Sequence, residues 1–231
     1  MAEENRYPPA PWTVRADMHG VMLKMPPGSI PEDVLPAGID VLRRDGSAVV
    51  SAVWWDYRQG STLVYREFLV ATMCRNPGVG TVLRIWVDNV QSMVGGRELW
   101  YVPKELAEFR FDHDAGFSAA MRIDGRDVVS YRFTPRWSVP GRWPAKVVTV
   151  QEQDGTVRRT TGSYRWRFQI GCGELVIPAA RTDRHRRLSR DRQRVGTTST
   201  NRVGVSRAQC SRPTPFSRFR TLPRTPGCGA W

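Results

Sequence analysis

Lysine is rare in this chain: of thirty-five basic residues only Lys24, Lys104 and Lys146 are lysines. Lys104 stands near the end of the run Gly96-Arg97-Glu98-Leu99-Trp100-Tyr101-Val102-Pro103-Lys104-Glu105-Leu106, after five uncharged residues from Leu99 to Pro103. An ammonium is strongly hydrated, so an apolar setting penalises the charged form and is expected to lower its pKa. The neutral amine attacks carbonyl carbon, which begins Schiff-base chemistry. The plainer alternative is a surface turn after Pro103, with the ammonium in water and its stem lying over apolar neighbours. Glu67 is the second residue of chemical interest. On a strand expected from Thr62 to Met73 it shares a face with Leu63, Tyr65, Leu69 and Ala71. A carboxylate on an apolar face must be paired, protonated or functional, and Arg66, Arg84 or Arg97 would be its structural partner.

Strands dominate the elements that must hold these residues. Asp45-Gly46, Gln59-Gly60, Asp124-Gly125 and Asp154-Gly155 mark turns, and Asp-Gly between apolar runs is a hairpin signal because a type I′ turn needs positive φ twice. The intervening runs predict strands over Ala48 to Tyr57, Thr62 to Met73, Val79 to Val87, Phe109 to His113, Phe117 to Ile123 and Val128 to Phe133. Others follow at Val147 to Gln151, Tyr164 to Ile170 and Glu174 to Ile177. Tyr164, Trp166, Phe168 and Ile170 alternate with Arg165, Arg167 and Gln169, the period of a half-buried strand. Helical signal is confined to Asn89 to Gly95 and a short piece near Pro31 to Leu35. Many antiparallel strands in one domain imply a sandwich or a closed barrel.

Charge divides the chain. Residues 181–231 hold thirteen arginines, no lysine and two aspartates, so eleven of the thirteen net positive charges sit there. Residues 1–180 therefore form the expected folded β domain, and residues 181–231 an Arg-rich tail whose composition buries too little to offset chain entropy. An arginine-only basic complement and the loss of strand patterning suit a shifted reading frame in a GC-rich gene; the competing account is a genuine basic extension. The nucleotide sequence past codon 180 separates the two. The arginines would meet polyanions non-specifically, but no aromatic platform or zinc spacing marks nucleic-acid recognition. Cys74, Cys172, Cys210 and Cys228 show no metal-ligand spacing, and His19, His113 and His185 are scattered, so no metal is expected. Met1 to Arg6 lack the apolar core of a signal peptide and no apolar stretch approaches a membrane span, which makes the cytoplasm the expected location.

Gly96-Arg97-Glu98-Leu99, three residues, then Pro103-Lys104-Glu105-Leu106 resembles the signature of the acetoacetate decarboxylase family. Tyr7-Pro8-Pro9-Ala10-Pro11-Trp12, Trp54-Trp55-Asp56-Tyr57 and Tyr65-Arg66-Glu67 are similar to actinobacterial members, and the likeness extends over about residues 7–180. The resemblance implies an antiparallel β-barrel with few short helices and its reactive lysine inside. It implies Lys104 as the Schiff-base residue and Glu67 as the acid managing protons beside the imine. A small β-keto acid is the implied substrate, released as carbon dioxide and ketone without a cofactor, by a homo-oligomer.

The chain departs from that pattern in places. Glu105 stands where well-studied members carry a second lysine; in a strand it would point away from Lys104. A second family glutamate falls on Ala52, and the arginine that holds the substrate carboxylate falls on Asp17, with Arg15 two positions away. Asp56 and Tyr57 are read as a strand-end cap rather than as pocket residues, and Arg97 and Glu98 as fixing the local turn. These departures keep two alternatives open: an aldolase or dehydratase using the same imine, and a non-catalytic barrel that binds a small molecule.

Overall fold

A computed structural model describes residues 7–178, Pro77 and the side chain of Asp33 aside, and the backbone of 204–210 and 220–221. The described chain is mainly strand. In order come β1 (Ala16–Met25), β2 (Arg43–Arg44), β3 (Ser47–Tyr57), β4 (Tyr65–Met73), β5 (Val79–Val87), a helix α1 (Val90–Trp100) and β6 (Lys104–Leu106). Then follow β7 (Glu108–Asp112), β8 (Phe117–Ile123), β9 (Arg126–Ser138), β10 (Trp143–Gln153), β11 (Thr156–Trp166), β12 (Phe168–Val176), β13 (Gly204–Cys210) and β14 (Arg220–Thr221). A 3-10 turn at Glu32–Val34 lies between β1 and β2. Asp45, Asp124 and Asp154, each followed by glycine, have positive φ, as the hairpin reading requires.

All described strands join one sheet along the path β14-β11-β10-β5-β4-β3-β1-β13-β12-β9-β8-β7, with β2 beside β3 and β6 beside β5. Pairing is antiparallel except where β5 meets β10 and β6. Among the described residues no pairing joins β14 to β7, so the path is open there and barrel closure is not seen. Within the segment 181–231, only β13 and β14 are described; β13 bridges β1 and β12, and neither strand carries the apolar alternation of the others. The remainder of that expectation lies outside the described residues.

Two predicted elements change shape. The expected strand from Tyr164 to Ile170 is a corner at Arg167: β11 pairs with β10, whereas β12 pairs with β9 and β13. Alternation persists through the corner while the partners change. The helix runs on through Gly95 and Gly96 and stops at Tyr101, which takes a left-handed conformation with φ 57°.

Alternation gives the sheet two differently used faces. In register, Val21, Ala52 and Val70 lie side by side, as do His19, Trp54 and Phe68. This face carries the main core, where Trp54 is fully buried, 4.3 Å from the Phe68 ring, with Phe117, Met121, Tyr131 and Phe133 in the same cluster. The other face carries Tyr57, Tyr65, Trp55 and Glu67. Removing the largest fully buried side chain tests which face supplies the stability. Trp54→Ala should cost about 3–5 kcal/mol in urea unfolding; a loss below about 1 kcal/mol would mean that the core is elsewhere.

Candidate active site

Lys104 reaches the interior because β6, short as it is, lies parallel to β5 with Lys104 opposite Ile85. Strand alternation then sends Lys104 inward, 5% exposed, and Glu105 outward, where it accepts a bond from Trp86 Nε1 at 3.1 Å. On the next strand, β4, Glu67 projects from the same face, 3% exposed. Lys104 Nζ donates to Glu67 Oε2 at 2.8 Å, to Ser92 Oγ at 2.9 Å and to the Tyr65 hydroxyl at 3.3 Å. All three ammonium donors are thereby used. Glu67 also accepts from the Tyr57 hydroxyl at 3.1 Å and from Tyr65 at 3.4 Å, and the two tyrosine rings stack with centroids 4.2 Å apart.

Helix α1 builds the opposite wall. Asn89 caps it by accepting from the Ser92 amide at 2.8 Å. Ser92 and Gly96, four residues apart, share a face. A Cβ on Gly96 would lie 2.6 Å from Lys104 Cδ and 2.8 Å from Cε, so glycine there is the space through which the lysine stem passes. Gly95 does the same for the rings of Trp12 and Tyr7. Glycine weakens a helix interior, and here the bare backbone is what lets two side chains approach. Past the helix end, Arg97 Nε donates to the Lys104 carbonyl at 2.6 Å. Arg158, from β11, donates to the carbonyls of Glu98 and Leu99 and lies 3.8 Å above the Tyr101 ring. These contacts hold the left-handed Tyr101 and aim the chain into β6.

The pair settles the lysine's charge differently from the sequence expectation. Burial alone would push the Lys104 pKa down, but the Glu67 carboxylate and the Tyr65 hydroxyl more than compensate, and the net direction is upward from 10.5. The apolar run before Lys104 says nothing of Glu67, thirty-seven positions away in sequence. Burial first, then Glu67, raises the hydroxyl pKa of Tyr57 and of Tyr65, so both remain proton donors.

Lys104 and Glu67, picked out from the sequence, thus meet, and the ion-pair partner of Glu67 is Lys104 rather than Arg66, Arg84 or Arg97. Ala52 lies in the core on the other sheet face, so an acid there would not reach Lys104. Asp17 is on that face too, paired with Arg58 at 2.6 Å, and Arg15 is exposed and does not line the cavity around Lys104. Asp56 binds Arg58 and His113, whereas Tyr57 lines the cavity, contrary to its reading as a strand-end cap. Ser92 and Arg158 carry no sequence signal of their own, though Asn89 three residues before Ser92 marks a helix start; Gly96 opens the signature run, but its part in making room for the lysine stem is not legible there. That cavity, about 260 Å3, is walled by Trp12, Trp55, Tyr57, Tyr65, Trp100 and Tyr164 with Glu67 and Lys104 among them. Among the described residues no group of three or more His, Cys, Asp or Glu gathers to hold a metal, and no helix is long and apolar enough to cross a membrane.

Known proteins resemble this chain in family and in fold. The family model for acetoacetate decarboxylase matches residues 2–162. No curated protein matches the chain. Among solved structures, an acetoacetate decarboxylase from Legionella pneumophila is similar with TM-score 0.63 at 16% identity, over 94% of this chain and 90% of that one. The enduracididine biosynthesis enzyme MppR, complexed with pyruvate, gives 0.60 at 17% identity, over 92% and 91%. An acetoacetate decarboxylase-like enzyme from Sphingomonas wittichii gives 0.54 at 14% identity, over 91% and 92%.

Two measurements test the buried pair. Lys104→Met or Glu67→Gln alone should cost about 3–5 kcal/mol, because each strands its partner, while the double variant should recover most of the loss. Simple addition of the two losses would show that the contact is not formed. Because the folded lysine pKa is raised, its stabilising share is complete below about pH 10.5 and is lost as pH rises through the folded value. Buried tyrosines titrate in the same direction, so the diagnostic is the difference between variants: the double variant should lose less stability above about pH 10.5 than the wild type.

Proposed function

The chain belongs to the acetoacetate decarboxylase family, and we propose on that premise that it is a cofactor-independent Schiff-base lyase acting on a β-keto acid. The observation that carries the reading is the 2.8 Å contact between a buried ammonium and a buried carboxylate in the wall of an aromatic cavity. A proton moving from Nζ to Oε2 converts the ion pair into a neutral amine and a carboxylic acid, with no change in net charge. In a site that solvates charge poorly, that exchange costs less than it would in water. Raised lysine basicity and nucleophilic use are thus compatible, provided the base that takes the proton is already in contact.

The neutral amine attacks the ketone carbon. Glu67 then returns its proton to the leaving hydroxyl, water departs, and the cationic imine lies against the regenerated carboxylate. The bond to the substrate carboxylate breaks, its electron pair passes into the imine to give an enamine, and carbon dioxide leaves. The enamine carbon takes a proton from solvent relayed through the Tyr65 or Tyr57 hydroxyl, and water hydrolyses the new imine to restore the ammonium–carboxylate pair. Glu105, bonded to Trp86 outside the site, does not act against these steps.

An aldol or dehydration reaction from the same imine is the second reading. It is favoured by the likeness to the pyruvate complex of MppR and by Lys104 being the only cationic side chain in the described wall of its cavity. The wider proposal is a cytoplasmic homo-oligomer whose sheet closes into the family's barrel through pairings outside the described residues. Trp137 and Trp143, near the junction of β9 and β10, are 69% and 53% exposed and form apolar surface that a second copy would cover.

Borohydride reduction in the presence of acetoacetate or pyruvate should add the reduced ligand's mass to Lys104, and Lys104→Met should abolish it. Folded protein that forms no adduct would leave only the binding-module reading. Carbon dioxide release by the wild type separates decarboxylation from aldol chemistry. Gly96→Ala, which pushes the lysine stem aside, should slow trapping by about tenfold or more while the helix persists.

A further inference from the structure

A second chamber, of about 360 Å3, adjoins the Lys104 cavity on the same sheet face, and Trp55, Leu69, Val82, Val147, Thr149 and Tyr164 line both. The far chamber is lined from β1, β3, β4, β5 and β10, by Met18, Met22, Ser51, Val53 and Ala71 among others, and by Trp166 of β11. No described residue lining it is charged. Among the described residues of the near cavity, Glu67 and Lys104 are the only charged ones and neutralise each other. The neighbouring arginines are committed elsewhere: Arg97 to the Lys104 carbonyl and Arg158 to the end of α1.

We infer that the substrate is a 3-oxo acid whose ketone bears an extended apolar chain, with the carbonyl at Lys104 and the chain in the far chamber. This deepens the proposed function and rests on it for the position of the carbonyl. A substrate of a few carbons would leave the far chamber unfilled. Binding would then forgo the apolar contact the site is built to give, since burial of methylenes is the affinity term an uncharged lining can supply. A chain along β3 and β4 would fill that space with methylenes against Met18, Val53, Leu69 and Ala71. Beyond the Lys104–Glu67 pair, the side-chain polar groups of the described wall are tyrosine and threonine hydroxyls and tryptophan indoles, an environment that solvates a carboxylate poorly and favours its loss as neutral carbon dioxide. The balance is that of the proposed reaction: the 3-oxo acid takes up one proton, loses carbon dioxide and leaves a methyl ketone, the extra hydrogen ending on the carbon that bore the carboxylate.

Because the product is a methyl ketone, a homologous series of methyl ketones probes the site directly. Acetone, 2-pentanone, 2-heptanone and 2-nonanone would be titrated against the intact chain by tryptophan fluorescence, with Trp55 at the junction of the chambers. Affinity should rise by at least about tenfold from 2-pentanone to 2-nonanone. It should do so in Lys104→Met as well, where no imine forms. Ala71→Phe and Ser51→Phe, which fill the far chamber, should cut the ratio of 2-nonanone to 2-pentanone affinity by about tenfold. A flat series, or a preference unchanged in both filled variants, overturns the inference. Borohydride trapping of the same ketones reads the Schiff base separately. Chain-length preference without any Lys104 adduct would keep the apolar chamber and discard the imine; an adduct with acetone and a flat series would do the reverse.

Discussion

The contact between Lys104 and Glu67 is the constraint around which this structure is arranged. Two opposite charges buried together are tolerable only with close geometry and with their remaining hydrogen bonds satisfied. Each nearby element contributes to that condition. β4 presents Glu67 and Tyr65 two residues apart on one face, and β3 adds Tyr57 in register opposite Tyr65. The first turn of α1 supplies Ser92, and its last turns supply the gap at Gly96. Loss of any one of these leaves a buried polar group without its partner, so the site is as much a condition of the fold as a product of it.

The arrangement also accounts for a helix that propensity alone disfavours. Adjacent glycines in α1 read naturally as a stop after Gly95, which is the end expected from the sequence. The structure uses them for close approach instead: Trp12 and Tyr7 against Gly95, the Lys104 stem against Gly96. The actual stop lies at Tyr101, a residue with no glycine-like freedom, held left-handed by backbone bonds to the helix and by Arg158 over its ring. Arg158 lies far along the chain and has no local signature, so this stop is invisible to any local reading. The two glycines that look like punctuation are packing residues, and the residue that looks like packing is the punctuation.

Legibility elsewhere follows the same division between local and distant causes. β3, β5 and β8 are plain in the sequence because apolar-rich runs bounded by turn signals are a local property. β1 is not, since Asp17 and His19 occupy core-facing positions and break the pattern; Asp17 is held by Arg58, and His19 stacks on Phe117 with centroids 3.7 Å apart. β6 is too short to show a period, yet it is the strand that turns Lys104 inward. The corner at Arg167 escapes because alternation persists while the partner strands change. At the site, the identities of Lys104 and Glu67 were legible through apolar neighbours and a family signature. The protonation state of Lys104 was not, because a partner distant in sequence determines it.

The direction of that lysine shift bears on how such a site works. Lowering a lysine pKa by burial makes a nucleophile at the cost of holding a neutral amine in every state. Pairing it with a carboxylate at 2.8 Å stores the same nucleophile as an ion pair, released by one proton transfer over a distance already spanned by a hydrogen bond. In the proposed mechanism the carboxylate that raises basicity at rest would also remove the proton on demand and steady the imine afterwards as its counter-charge. One acid would then serve all three purposes. A second cation beside the lysine would assist only the first step and would oppose the cationic imine in the next. Glu105, outside the site against Trp86, is consistent with a design in which the neighbouring position carries no charge into the cavity.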